Sequence, residues 1–114
     1  MSLPTESRLL RVFVGADDRR DGRPLYEKII ERARECDLAG ATAFRGIEGF
    51  GGHSRIHTAK ILRLSEDLPV MIEIIDAPDK IEAFVPELEA MIDEGLVTVE
   101  PVRVVLYRAG ASAE

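Results

Sequence analysis

Six apolar residues, Ile81, Phe84, Val85, Leu88, Met91 and Ile92, recur at the spacing of one helical face. Asp76 with Pro78 predicts the start of this helix, and Gly95 predicts its end. Pro86 falls inside the stripe, where a missing donor and ring crowding predict a kink near Glu82 or a restart at Val85. The stripe is bracketed by two strand-like runs. Val70 to Asp76 alternates Val70, Ile72 and Ile74 on one side, entered from a Glu66-Asp67-Leu68-Pro69 turn. Val97 to Arg108 is rich in β-branched residues, with Pro101 marking an edge or a bulge.

The first half repeats the pattern. Arg8 to Val14 reads as a strand with Leu10, Val12 and Val14 on one face and Leu9 and Phe13 on the other. After the polar segment 15–23, Pro24 suits the first turn of a helix. Leu25, Ile29, Ala33 and Cys36 form its stripe, widened by Tyr26 and Ile30, and a left-handed cap is expected at Gly40. Residues 40–48 alternate as a second strand, with Ala41, Ala43, Arg45 and Ile47 on one side and Thr42, Phe44, Gly46 and Glu48 on the other. Thr58 to Ser65 reads either as a continuation of strand or as a short helical piece.

The order strand, helix, strand, strand, helix, strand predicts an α+β, ferredoxin-like βαββαβ fold, a four-stranded antiparallel sheet with two helices on one face. Residues 1–7 are expected to be a flexible lead-in, 8–108 the domain and 109–114 a tail. The face away from the helices would carry Leu9, Phe13, Met71 and Ile75. The last strand adds either Val102, Val104 and Leu106, or Val105 and Tyr107, depending on a bulge. So many large apolar groups predict an interface, and closed homo-oligomers are the usual outcome.

Charge narrows the function. A net charge of −6 disfavours a nucleic-acid binder, which needs clustered Lys and Arg. No apolar run approaches the roughly 18 residues of a membrane span, so no membrane insertion is expected. The first ten residues lack the cationic and apolar regions of a signal peptide, and one cysteine, Cys36, rules out an intrachain disulfide. These features together predict a cytoplasmic chain.

Residues 40–57 hold the unusual chemistry. Glycines at 46, 49, 51 and 52 stand with Arg45, Glu48 and both histidines, His53 and His57. The glycines imply a bulge or turn, or alternatively a nest of backbone amides for an anion. Arg45 and Glu48, three apart, point to opposite faces of an ideal strand; each pairs with a neighbouring strand or subunit, or Arg45 grips a carboxylate or phosphate. His53 and His57 would share a helix face at a metal-compatible spacing, but no further ligand follows in a recognised pattern. Ser54 suits a helix cap before Arg55. The charged run Asp17 to Asp21 reads as a solvated loop, or as a place where a helix N-terminus accepts an anion with help from Arg23. Cys36 reads as a small core residue and Lys60 as a solvated stem.

The run RGIEGFGGHSRIHTAKILRLSEDLPVMIEIID, with PLYEKIIERA before it and EGLVTVEPVRVVLYR after it, resembles the bacterial and archaeal domain-of-unknown-function family 190. That family lies in the PII-like superfamily, beside nitrogen-regulatory PII and CutA-type proteins. The resemblance covers roughly residues 8–108. It implies a homotrimer with inward-facing sheets and a long loop between the second and third strands. In PII proteins that loop docks on partners, and a nucleotide sits at its base between subunits. The glycine-rich phosphate loop of PII proteins has no counterpart here, since only Glu94 to Val97 link the second helix to the last strand. Anion donors would therefore come from the central stretch and from Arg103 or Arg108.

The expected function is a PII-like signalling module. A small ligand, for which an adenine nucleotide is the candidate cofactor, would be held by Arg45, Gly46, Glu48, Gly49, Gly51, Gly52, Arg103 and Arg108. Phe50, His53, Ser54, Arg55 and His57 would form a loop, at about 46–57, that contacts a protein partner. The alternative is a CutA-like metal or ion-homeostasis protein using His53 and His57. An enzyme is not expected, because no acid, base and nucleophile set is assembled around Arg45, Glu48 and His53.

Overall fold

Strand β1 (Glu6–Gly15) is the hub of the fold, because both of its edges are paired. The computed structural model describes residues 2–50 and 68–110. Beyond β1 these form β2 (Arg19–Arg20), β3 (Arg23–Pro24), α1 (Leu25–Glu35), β4 (Thr42–Arg45), β5 (Pro69–Asp76), α2 (Pro78–Met91) and β6 (Leu96–Arg103). The main sheet has the order β4-β5-β1-β6 with every neighbour antiparallel. This is the expected ferredoxin-like α+β arrangement. The polar segment after β1 adds a small β2–β3 hairpin, turned by Asp21 and Gly22 at φ 55° and 78°.

The core lies between the sheet and the helices. Leu10, Val12 and Val14 of β1 and Val70, Ile72 and Ile74 of β5 meet Leu25, Ile29 and Ala33 of α1 and Ile81, Phe84 and Leu88 of α2. Both helical stripes thus bury as their spacing predicts. Cys36 is half-buried against this core. Helix α2 runs unbroken through Pro86, with no restart at Val85. Pro86 and Glu82 are exposed, so water can meet the carbonyl that a proline leaves without its helical donor.

Several boundaries differ from expectation. Helix α1 ends at Glu35, and its left-handed residue is Asp37 (φ 62°) rather than Gly40. Leu38 N–H bonds Ala33 C=O at 3.1 Å and Asp37 N–H bonds Arg34 C=O at 3.0 Å, the paired bonds of a Schellman cap. Strand β4 stops at Arg45, so Ile47 and Glu48 are not strand residues. Gly95 does not end α2, which stops at Met91. It sits where a Cβ would lie 2.8 Å from the Phe13 carbonyl oxygen, a backbone approach that only glycine permits.

Asp76 is buried and does not cap α2, whose N-cap is Ala77. Its carboxylate accepts from Ala77 N–H at 2.7 Å and from Ala39 N–H at 2.8 Å. It thereby ties the approach to β4 onto the end of β5.

Strand β6 keeps an unbroken register against β1, so Pro101 marks an edge and not a bulge. The bond from Val104 N–H to Thr5 C=O (2.8 Å) sets the phase of this ladder. By that phase Val97, Val99, Pro101 and Arg103 direct their backbone groups outward, where proline's missing donor costs no ladder bond. Val102 stands opposite Ser7, on the face away from the helices.

Two stability measurements test these assignments. Asp76→Ala should lower unfolding free energy by about 2 kcal/mol, since it strands two backbone donors, read as a lower urea midpoint at unchanged slope. Asp37→Gly should raise stability by about 0.5–1 kcal/mol by relieving the left-handed aspartate, read as a higher midpoint in the same experiment.

Candidate functional site

The exit from β4 forms a neck built on one proline, Pro69. Gly46 N–H bonds Pro69 C=O at 2.7 Å, one step past the end of β4. A Cβ on Gly46 would stand 2.8 Å from Pro69 Cγ and 3.2 Å from its carbonyl oxygen, and one on Gly49 would stand 3.0 Å from Cγ. Close packing on Pro69 therefore requires glycine at 46, and at 49 it leaves little room for a side chain. Beyond them Ile47 is 91% exposed and Phe50 63% exposed. Arg45, Glu48 and Gly49 are exposed at this neck. Gly51, Gly52, His53, Ser54, Arg55 and His57 lie outside the described residues, as does Lys60.

Arg103 is not brought to this neck within one chain. Arg45 stands level with Val70 and Val14, whereas Arg103 stands level with Glu6. The two residues occupy diagonal corners of the sheet, about 26 Å apart along the strands and about 14 Å across them. Arg108 is exposed beyond the end of β6. Arg23 does not wait at the α1 N-terminus for an anion. It is engaged by Glu31 and by Glu27 (3.4 Å), and Asp18 C=O already accepts from Leu25 N–H at 2.8 Å. Arg23 has its pKa raised by the hydrogen bond with Glu31 first, and Glu31 is lowered by the same bond.

The sheet face away from the helices carries a continuous apolar row, Phe44–Met71–Phe13–Leu96, aligned by the register of all four strands. Phe44 is 45% and Leu96 55% exposed. The next row is polar: Thr42, Glu73, Arg11 and Thr98. At its centre Arg11 Nε donates to Glu73 Oε2 at 2.9 Å, and its Nη1 donates to Glu100 Oε2 at 2.9 Å. The Glu73 hydrogen bond, ahead of the other contributions, raises the Arg11 pKa above its ordinary value, so the group stays charged.

Beside this row lies a cavity of about 620 Å³, lined by residues 39–42, Glu73, Ile75, Leu3 and the segment 102–107. Its walls are mostly aliphatic, with Thr42, Glu73, Arg103 and Tyr107 as the polar side chains. The bond from Gly46 N–H to Pro69 C=O sets the phase of the β4–β5 ladder. By that phase Glu73 and Ile75 direct their N–H and C=O groups toward β4. Strand β4 begins at Thr42, opposite Glu73, so no strand residue stands opposite Ile75. A backbone donor and acceptor are thus presented side by side at the cavity, and the Asp76–Ala39 bond holds the opposing wall.

Of the described residues expected at the site, the cavity collects Arg103 alone. Thr42 and Glu73 were not read as site residues, and Ile75 and Tyr107 were read only as apolar residues of the open face. The available signal was the strand order, which sets residues 42 and 73 on neighbouring strands, but not their register. Among the described residues no group of three His, Cys, Asp or Glu side chains is arranged to hold a metal. No described helix is long and apolar enough to cross a membrane.

Residues 7–104 match the profile of DUF190, described as "Uncharacterized ACR, COG1993". The chain belongs to the DUF190 family. Similar relatives include a UPF0166 protein of Aquifex aeolicus, 41% identical over 88% of this chain and 94% of the relative. The UPF0166 protein MJ1524 of Methanocaldococcus jannaschii is 30% identical over 82% of this chain and 87% of its own length. Among solved structures, a putative PII-like signalling protein of Thermus thermophilus shares the fold at a TM-score of 0.64 and 16% identity, covering 89% of this chain and 91% of that one. CPII of Thiomonas intermedia, a nitrogen regulatory PII-like protein solved with ADP, AMP and bicarbonate, matches at a TM-score of 0.57 and 18% identity, covering 87% and 88%. The chain thus shares its fold with these PII-like proteins.

Gly46→Val should test the neck. The added side chain must displace Pro69, at a cost of roughly 1–3 kcal/mol, and proteolysis within the 46–67 segment should quicken.

Proposed function

We propose that this DUF190 chain is a PII-like regulatory binding module for an adenine nucleotide, assembled from copies of itself, with the 46–57 loop as the element that docks a protein partner. One observation carries the reading. The Ile75 backbone offers a donor and an acceptor, flanked by Thr42 and Glu73, at the rim of an aliphatic cavity. An adenine edge has the complementary pair, an exocyclic amine that donates and a ring nitrogen that accepts. Aliphatic walls suit the ring faces, and the volume suits a nucleoside-sized ligand.

Phosphates need cations, and the sheet has them at opposite corners, in Arg45 on one side and Arg103 and Arg108 on the other. Two copies meeting at their edges would join such corners into one cleft. The apolar row Phe44–Met71–Phe13–Leu96 supports burial of the open face between copies, and a trimer fits this reading. The loop neck on Pro69 lies one end of β5 away from the cavity, so that strand links ligand and loop. The resemblance in fold to CPII, which was solved with ADP and AMP, supports the ligand class. This set of residues supports a reading of binding and regulation.

Thermal unfolding with ADP, AMP or ATP tests the proposal. At 100 times the dissociation constant, binding to the native state adds about 2.7 kcal/mol, read as a rise in melting temperature, with slower proteolysis of the loop. Thr42→Val should reduce the rise. No shift with any of the three nucleotides would overturn the ligand, and a monomer in native mass spectrometry would overturn the assembly.

A further inference from the structure

We infer that Arg11 is a positioning residue for the cavity, holding the Glu73 carboxylate so that the pocket selects a ring bearing an amino group over one bearing an oxo group. The inference rests on the nucleotide reading given above and concerns which side chain sets its selectivity.

Glu73 lines the cavity, while Arg11 lies one strand further in and does not. The guanidinium takes Glu73 Oε2 through Nε, and Oε1 has no hydrogen-bond partner among the described residues. An ionised carboxylate is an acceptor only. Its remaining oxygen therefore attracts an amine and repels a carbonyl oxygen at the same point of a ring. That discrimination needs the carboxylate fixed, because a glutamate free to rotate could turn away from a carbonyl.

Arg11 supplies the fixing through a second anchor. Its Nη1 is held by Glu100 on β6, so one planar guanidinium spans β5, β1 and β6. A lysine at this position would keep the charge but lose the fork. Glu100 takes no part in lining the cavity, so its effect passes through Arg11.

ADP and inosine diphosphate differ by amino against oxo at one ring carbon and by the proton that the oxo form carries on the adjacent ring nitrogen, which makes them the probes. Calorimetric titration of both is expected to show the wild-type protein favouring ADP by about tenfold or more. In Arg11→Met the ratio should fall several-fold, the part that remains being set by the Ile75 backbone pair. Arg11→Lys should restore part of it, and Glu100→Gln should lower it less than Arg11→Met does. Melting temperatures of all variants without ligand separate selectivity from folding. Equal losses for both nucleotides in Arg11→Met, with the ratio kept, would make Arg11 merely structural and overturn the inference. A wild-type protein that binds both nucleotides equally overturns the inference together with the edge pairing proposed for Ile75, whereas an unchanged preference in Arg11→Met overturns the inference alone. A wild-type protein that binds neither overturns both.

Discussion

A single buried carboxylate organises the end of the molecule where the cavity lies. Asp76 joins two backbone donors that are far apart in sequence, Ala39 before β4 and Ala77 before α2. Burying such a charge is costly unless its oxygens are satisfied, and the two bonds provide that. They also decide geometry. With Ala39 held at the end of β5, the chain meets the sheet at Thr42 and leaves Ile75 without a strand opposite it. One side of the cavity is thus the gap between a short edge strand and a longer neighbour, and Leu3 with Val102 to Tyr107 lines the rest.

The two faces of the sheet serve different ends. One is sealed by α1 and α2 around Val12 and Ile72, both fully buried. The other alternates an apolar row with a charged one, and the Arg11 fork sits in the middle of the charged row. Exposed ion pairs contribute little to stability. The fork matters more for orientation, since it sets three strands and the Glu73 carboxylate in one relation. The proposed ligand chemistry and the open face of the sheet therefore share a residue.

The fold was legible because its signals are local and periodic. The spacing of Ile81, Phe84 and Leu88, and the alternation of Leu10, Val12 and Val14, state which side of each element is apolar. Boundaries set by distant residues were not legible. Nothing within residues 40–48 says that the strand must stop at Arg45, because the reason is Pro69 standing against Gly46 and Gly49. Asp37 takes the left-handed cap expected of Gly40 because the apolar stripe brings Leu38 back onto Ala33. Ile75 was read as one more apolar face residue. Its relevance lies in backbone groups that every residue has, and only the register makes them distinctive. The arginines were visible as cations, but their diagonal placement depended on strand pairing that no local pattern carries.

Pro101 has a consequence for how copies of this chain can add to one another. It stands on the outward side of β6, the side that would otherwise present a full row of donors. A sheet edge with a gap in that row is a poor template for a further strand. Growth by stacking edge on edge, the geometry of open fibres, is interrupted there in every copy. In the assembly proposed above, copies would bury the apolar face and meet at their edges without extending the sheet, and the finite area of that face would limit their number.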